Sequence, residues 1–122
     1  MLDLLLIFIG GGIGCLSRYG VSRLIVGTAS SAYFPWATLI SNVISVLVMG
    51  IALGFLATRM QSESMRALVI VGFCGGFSTF STFSFETLEL FRRGNYLFAA
   101  GNVVLSICLC IFILAVLTKK TA

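Results

Sequence analysis

The sequence predicts an all-α integral membrane protein with four transmembrane helices, the third of them broken near its middle. Of the 122 residues, 59% are hydrophobic and only 10% are charged. A soluble domain of this size cannot bury so much apolar side chain. Four long apolar runs alternate with short polar segments, which predicts a single membrane domain over residues 1–122 with helices at about 2–26, 36–58, 65–92 and 96–118.

The first predicted helix combines close-packing glycines with a charged residue. Gly10 and Gly14 lie one helical turn apart, a spacing that lets another backbone approach closely. Arg18 occupies the last third of the same helix, where a charge is unfavourable unless it is paired or reaches the membrane interface. A snorkelling side chain and a structural hydrogen-bonding role both remain open for Arg18.

The second predicted helix carries one polar stripe. Its members follow i, i+3, i+4, i+7 spacing: Thr38, Ser41, Asn42 and Ser45. Such a stripe indicates either interhelical hydrogen bonds or the polar lining of a pore. The third helix, which is also polar at its centre, favours the pore.

The third predicted helix contains the most unusual stretch, GFCGGFSTFSTFSFE at Gly72–Glu86. As far as Phe85 it lies in a charge-free run that begins at Ala67 and is close to the roughly 20 residues that cross a bilayer. Glycine, serine and threonine at its centre disfavour an unbroken helix, so we expect an interruption over Gly75–Thr79. Ser78 or Thr79 is expected to cap the second half. Because broken membrane helices often bind ions, the stretch predicts ion handling.

Two faces follow the predicted break. Phe80 and Phe83 share one face, and a neighbouring face carries Thr79, Thr82, Glu86 and Glu89. The fourth helix has a weaker stripe of Asn102, Ser106 and Cys110. The four cysteines lie in apolar segments and are interpreted as buried free thiols.

The basic residues are evenly divided between the two sides of the predicted membrane domain. One side has Arg59, Arg66, Lys119 and Lys120, and the other has Arg18, Arg23, Arg92 and Arg93. Four against four leaves no bias for the positive-inside rule. The chain is therefore predicted to insert in both orientations and to pair as an antiparallel, twofold homodimer.

The composition excludes several functional classes. The chain has no histidine and no lysine-bearing phosphate loop, so an enzyme is not expected. The excess of four positive charges suits lipid head groups, and no basic run interleaved with aromatic residues predicts nucleic-acid binding. A conduit lined by hydroxyls, one amide and phenyl rings suits an anion, since phenyl rings have a positive edge.

The motifs of this sequence resemble those of a known family, the Fluc (also called CrcB) fluoride channels. The resemblance rests on GFCGGFSTFSTFS in the third helix and on a glycine-rich first helix ending in an Arg-Tyr pair, Arg18 and Tyr19. It also rests on a Thr-Leu-x-x-Asn motif in the second helix, formed by Thr38, Leu39 and Asn42. The resemblance covers nearly the whole chain.

The resemblance implies a dual-topology homodimer with two antiparallel pores, which exports fluoride passively across the bacterial inner membrane and so confers fluoride resistance. It implies that Phe80 and Phe83 meet fluoride with their ring edges and that Asn42 faces them across the subunit interface. It implies a structural sodium ion held by the carbonyls of Gly75 and Ser78. The implied pore residues are Asn42, Phe80, Ser81, Thr82, Phe83, Glu86 and Ser106, with Arg18 and Thr38 as structural polar residues.

The chain departs from the family pattern at three positions. Ala37 and Ser45 stand where the family often has glycine, and Asn102 stands about where it often has a pore-lining tyrosine.

Two alternatives of other functional classes also remain open. A small dual-topology multidrug or cation antiporter fits the length and charge balance, but it needs an acidic residue deep in the first helix, where Leu4–Ser17 has none. A non-conducting membrane assembly subunit should tolerate Phe80→Leu.

Overall fold

The structure is a computed structural model that describes residues 1–28, 34–59 and 62–119, so residues 29–33 and 60–61 of the predicted connections lie outside it. The described elements are α1 (Leu2–Thr28), α2 (Trp36–Arg59), α3 (Glu63–Met65), a π-helix (Arg66–Cys74), α4 (Gly75–Phe77), α5 (Phe80–Arg92) and α6 (Tyr96–Thr118).

Four helical spans within the described residues are long and apolar enough to cross a membrane. They are Leu2–Ile25, Trp36–Gly54, Glu63–Arg92 and Tyr96–Thr118. The predicted class, an all-helical membrane protein with four spans, is therefore confirmed.

The distribution of polar and apolar side chains is that of a membrane protein. Large apolar side chains cover the surface, among them Phe8 at 77% and Leu97 at 83% exposure. The buried polar residues of the described chain are Thr38, Ser41, Ser45, Thr79, Asn102 and Ser106. Since lipid cannot satisfy hydroxyl or amide groups, these residues gather inside, where other protein groups bond them.

The first half of the third span, which we define as Glu63–Phe77, packs closely against α1. A Cβ atom on Gly10 or Gly14 would collide with the backbone of the π-helix, in the second case at Phe73. A Cβ atom on Gly76 would lie 2.5 Å from the carbonyl oxygen of Gly11. The glycine spacing of α1 therefore serves the close helix packing that the sequence predicts.

A short extended junction, Ser78 and Thr79, separates the first half from the second half, which is α5. Ser78 has φ −77° and ψ 154°, and Thr79 has φ −148° and ψ 119°. Gly75 and Gly76, which the sequence places within the interruption, are instead helical. The absence of a side chain on Gly76 lets α1 pack directly against this backbone, and that packing supports the helical conformation.

The second half ends in a tight turn and packs on α6. Gly94 has φ 82°, a conformation that favours glycine, and its amide donates to the Phe91 carbonyl at 3.1 Å. The turn brings α6 back along α5 and α2. The junction thus lies between α1, α2 and α6, the three helices that surround the candidate site.

Candidate functional site

Two cavities of different character lie against the junction. The polar cavity, of about 210 Å³, is lined by Cys15, Arg18, Tyr19, Ser22, Ala37, Thr38, Ser41, Thr79, Thr82 and Glu86. The aromatic cavity, of about 270 Å³, is lined by Asn42, Val46, Ser78, Thr79, Phe80, Phe83, Ser106, Ile107 and Cys110.

The aromatic cavity brings together four predicted pore residues, Asn42, Phe80, Phe83 and Ser106, within a single chain. The ring centroids of Phe80 and Phe83 are 5.8 Å apart, with 35° between the ring planes. Phe80 is 79% exposed in the single chain. Two tilted phenyl rings and an amide offer a small anion weak positive contacts without a fixed charge. The Ser106 hydroxyl donates to Asn102 Oδ1 at 3.3 Å and can add a contact only when that bond opens.

The polar cavity collects predicted residues from the neighbouring face of α5, together with residues of α1 and α2. Thr82 and Glu86 come from α5, Arg18 comes from α1 and Thr38 comes from α2. Arg18 is partly buried, and its guanidinium makes no hydrogen bond or ion pair with another described residue. Its structural hydrogen-bonding interpretation therefore has no described partner, whereas a cation beside a polar cavity attracts anions.

Glu86 is held at one carboxylate oxygen only. The Thr38 hydroxyl donates to Oε1 at 2.9 Å. The other oxygen, Oε2, is buried and has no hydrogen-bond partner among the described residues. A buried acceptor without a donor is destabilising by about 1–3 kcal/mol, so Oε2 calls for a donor from the polar cavity that Glu86 lines.

Thr79 forms the wall that the two cavities share. It is also the N-cap of α5, since its hydroxyl accepts from the Thr82 amide at 3.3 Å. Its hydroxyl lies 3.2 Å from that of Thr82 and 3.4 Å from that of Ser81. The cap that the sequence predicts is present, and it places a cluster of hydroxyls at the positive end of the α5 dipole.

The polar stripe of α2 holds the junction in place. The Thr79 amide donates to Asn42 Oδ1 at 2.9 Å, and Asn42 Nδ2 donates back to the Thr79 carbonyl at 3.5 Å. The Ser45 and Ser78 hydroxyls donate to the Cys74 carbonyl at 2.9 and 2.8 Å. The stripe thus makes interhelical hydrogen bonds, while its members Thr38, Ser41 and Asn42 also line the cavities.

Two predicted site residues lie outside both cavities. Ser81 is exposed and touches the site only through the Thr79 hydroxyl. Gly75 is exposed on α4, and a Cβ atom there would meet nothing within 4 Å. In the single chain Gly75 therefore faces away from the groups that gather around Thr79, whereas Ser81 meets them only at the Thr79 hydroxyl.

The sequence did not predict a role for Thr87, and it did not predict which residues Asn102 contacts. Thr87 lies one turn beyond Phe83 and donates to its carbonyl at 2.8 Å. Asn102 donates to Thr87 at 2.9 Å and accepts from Ser106 at 3.3 Å. The four-residue repeat of α6 signalled Asn102, but its partner on α5 depends on how the helices pack.

Comparison with known proteins identifies related sequences over most of the chain. Residues 5–118 match the family described as CrcB-like protein, Camphor Resistance (CrcB). A protein named fluoride-specific ion channel FluC from Coxiella burnetii (strain CbuK_Q154) is 45% identical over 112 residues, which cover 90% of each chain. Proteins of the same name from Geobacter sulfurreducens and Novosphingobium aromaticivorans are 39% identical over 112 residues and 46% identical over 101 residues. These matches cover 91% and 79% of this chain, and 90% and 80% of the two relatives.

Proposed function

The chain belongs to the CrcB family, and on that premise we propose that it is a fluoride-specific ion channel through which the anion leaves the cell passively. Its relatives are named as ion channels, so the chain is not an enzyme. The antiporter and assembly-subunit alternatives are not favoured by these names. The setting that suits this activity is the bacterial inner membrane, where the channel would protect a cell that accumulates fluoride.

The observation that carries the proposal is the aromatic cavity. Its polar lining includes Asn42, Ser78, Thr79 and Ser106, and its apolar lining includes the rings of Phe80 and Phe83. Fluoride is a small, strongly hydrated acceptor that needs donors to replace its water. Ring edges and neutral donors hold it without trapping it, which is what conduction requires.

The polar cavity acts in this proposal as the vestibule that feeds the aromatic cavity. Arg18 raises the local concentration of anions there. From the vestibule, an ion passes the hydroxyl of Thr79, the wall common to both cavities, with Thr82 beside it. The N-terminus of α5 meets this step, and its partial positive charge favours an anion at that point.

The functional unit in this proposal is an antiparallel homodimer with two pores. Support comes from the four-against-four division of basic residues. Further support comes from Phe80, whose ring is 79% exposed in one chain and would line a pore completed by a second copy. In the dimer, Asn42 of one chain would also face the phenyl rings of the other. A reporter fused to the C-terminus should be found on both sides of the membrane, and a reporter on one side only would contradict dual topology.

A structural sodium ion is part of the same proposal. Carbonyl oxygens at a helix end are hard ligands that suit such a cation, and the carbonyls of Gly75 and Ser78 would supply them. The ion would lie between the two subunits and bind uncharged backbone carbonyl groups of both. Replacing sodium by N-methylglucamine should abolish fluoride efflux, and unchanged efflux would contradict the sodium site.

The proposed function is tested by ion efflux from liposomes that contain the purified protein. Liposomes are loaded with fluoride or with chloride, and the appearance of each ion outside is followed with an ion-selective electrode. We expect rapid fluoride efflux and chloride efflux no faster than from protein-free liposomes. An absence of fluoride efflux from folded, reconstituted protein would overturn the proposal.

A further inference from the structure

A partly buried chain of hydrogen bonds joins α5 to α6 beside the aromatic cavity. It begins at the Phe83 carbonyl on α5 and ends at the Ser106 hydroxyl on α6, and both residues line that cavity. Its centre is Asn102, which is 1% exposed and does not line the cavity itself. We propose that Asn102 is a positioning residue that sets the separation and orientation of Phe83 and Ser106.

The direction of each hydrogen bond follows from the donors available. The Thr87 hydroxyl gives its only hydrogen to the Phe83 carbonyl at 2.8 Å, so toward Asn102 it can only accept. Asn102 Nδ2 supplies the donor at 2.9 Å. Asn102 Oδ1 is then free to accept from Ser106 at 3.3 Å. An aliphatic side chain of similar size cannot bridge the two partners, because the chain needs a donor and an acceptor on one group.

This arrangement controls what Ser106 presents to an anion. While the Ser106 hydrogen points to Asn102, only its oxygen lone pairs remain for the cavity, and these repel fluoride. An anion must therefore compete with Asn102 Oδ1 for the Ser106 hydrogen. Weak, competitive binding of this kind suits a conducting site. The inference rests on the proposed function, since it names a residue that tunes the same cavity.

The test is a set of double-mutant cycles measured as fluoride efflux per folded protein. Asn102→Leu and Ser106→Ala should each slow fluoride efflux about threefold to tenfold, because the first removes the interhelical bond to Thr87 and the second removes the bond within α6 that orients Asn102. Both should also let chloride leave faster than from protein-free liposomes, which a purely structural loss of working channels would not do. The double variant should be no slower than the slower single variant. Cys108→Ala, an exposed position on the same helix, is the matched control.

A second cycle uses Thr87→Val, which keeps the shape of the side chain and removes both of its hydrogen bonds. Combined with Ser106→Ala it should again slow efflux less than the product of the two single effects, since both act through Asn102. Wild-type efflux and selectivity from Asn102→Leu or Ser106→Ala would overturn the inference. Effects that multiply in either cycle would also overturn it.

Thermal unfolding separates this inference from the proposed function. The change in melting temperature for Asn102→Leu and Thr87→Val together should be smaller than the sum of their separate changes. That coupling is measured on purified protein and needs no ion transport. Wild-type protein that does not transport fluoride would contradict the proposed function alone. Changes in melting temperature that simply add in the Asn102→Leu, Thr87→Val double variant would contradict the role of Asn102.

Discussion

The two halves of the third span differ in how their side chains are buried around the junction. In the first half, Cys74 is fully buried and Phe77 is 3% exposed, and glycine allows α1 to approach the backbone. In the second half, Phe80 is 79% exposed and Phe85 is 62% exposed. One half is fixed by packing, and the other presents its side chains. In the proposed channel, the first half would then serve as the scaffold and the second half as the conducting surface.

The two halves also present different polar groups to the junction between them. The first half ends in carbonyl oxygens, one of which, that of Cys74, accepts from Ser45 and Ser78. The second half begins in amide and hydroxyl groups around Thr79. Opposite partial charges thus meet at the junction. The carbonyl end suits a cation, and the amide end suits an anion.

The largest effect is expected where the scaffold is tightest. In Gly14→Ala, the new Cβ would collide with the Phe73 backbone, which has no freedom to move away. Overpacking of this kind destabilises by about 1–3 kcal/mol or more. We expect a melting temperature well below wild type and little folded protein in size-exclusion chromatography. Gly12→Ala, where nothing lies within 4 Å, should behave as wild type. Equal behaviour of the two variants would show that the close contact with α1 is unimportant.

A smaller effect is expected at the junction itself. Asn42→Leu leaves the Thr79 amide without its 2.9 Å acceptor and removes the amide from the aromatic cavity. A buried, unpaired donor is destabilising by about 1–3 kcal/mol, so we expect fluoride efflux to fall about tenfold.

Ser45→Ala sharpens the comparison, because the Cys74 carbonyl keeps the Ser78 amide and hydroxyl as donors. Its effect on efflux and on melting temperature should be clearly smaller than that of Asn42→Leu. A Ser45→Ala variant as impaired as Asn42→Leu would contradict the assignment of these two bonds to different halves.

Thr38→Val examines the polar cavity. It preserves the shape of the side chain and removes the hydrogen bond to Glu86, so that both carboxylate oxygens lack a described donor. We expect about threefold slower fluoride efflux and a modest fall in melting temperature. Thr38→Ser keeps the hydroxyl and should restore both values. Equal fluoride efflux and equal melting temperature in Thr38→Val and Thr38→Ser would show that the hydrogen bond from Thr38 to Glu86 does not support the cavity.

The smallest effect is expected at the exposed end of the second half. Arg92 lies 3.5 Å from Glu89, but its side chain is 66% exposed, and Arg93 also approaches Glu89 at 3.9 Å. Exposed ion pairs contribute about 0–1 kcal/mol and are screened by salt. Arg92→Ala should leave the melting temperature and the fluoride efflux close to wild type at physiological salt. A large loss of either would mean that this end of α5 takes part in the site.

Much of the fold follows from local sequence, and the helix spans are the clearest case. Apolar runs of membrane length predict four spans, and the spacing of Gly10 and Gly14 predicts a close helix contact. The position of the extended junction was less predictable. Glycine disfavours isolated helices, yet Gly76 stays helical because α1 packs against it. The π-helix has no sequence pattern of its own, since its hydrogen-bond register depends on tertiary packing.

The site shows the same limit. The repeated phenylalanine and hydroxyl residues indicate where the chemistry lies, and Asn42, Phe80, Phe83 and Ser106 do line one cavity. Periodicity cannot predict that Thr79 would separate two cavities or that Thr38 would bond Glu86. Those contacts depend on the relative rotation of two helices that are far apart in sequence.

The central claim is that the second half conducts fluoride while the first half supports it, and one comparison tests it most directly. Fluoride efflux is measured from liposomes with wild-type protein, with Phe80→Ile, and with Val71→Ala, an exposed apolar position in the first half. We predict that Phe80→Ile stays folded but loses fluoride efflux by about tenfold or more, because isoleucine has no positive ring edge. Val71→Ala should conduct as wild type. Wild-type fluoride efflux from Phe80→Ile would contradict the account.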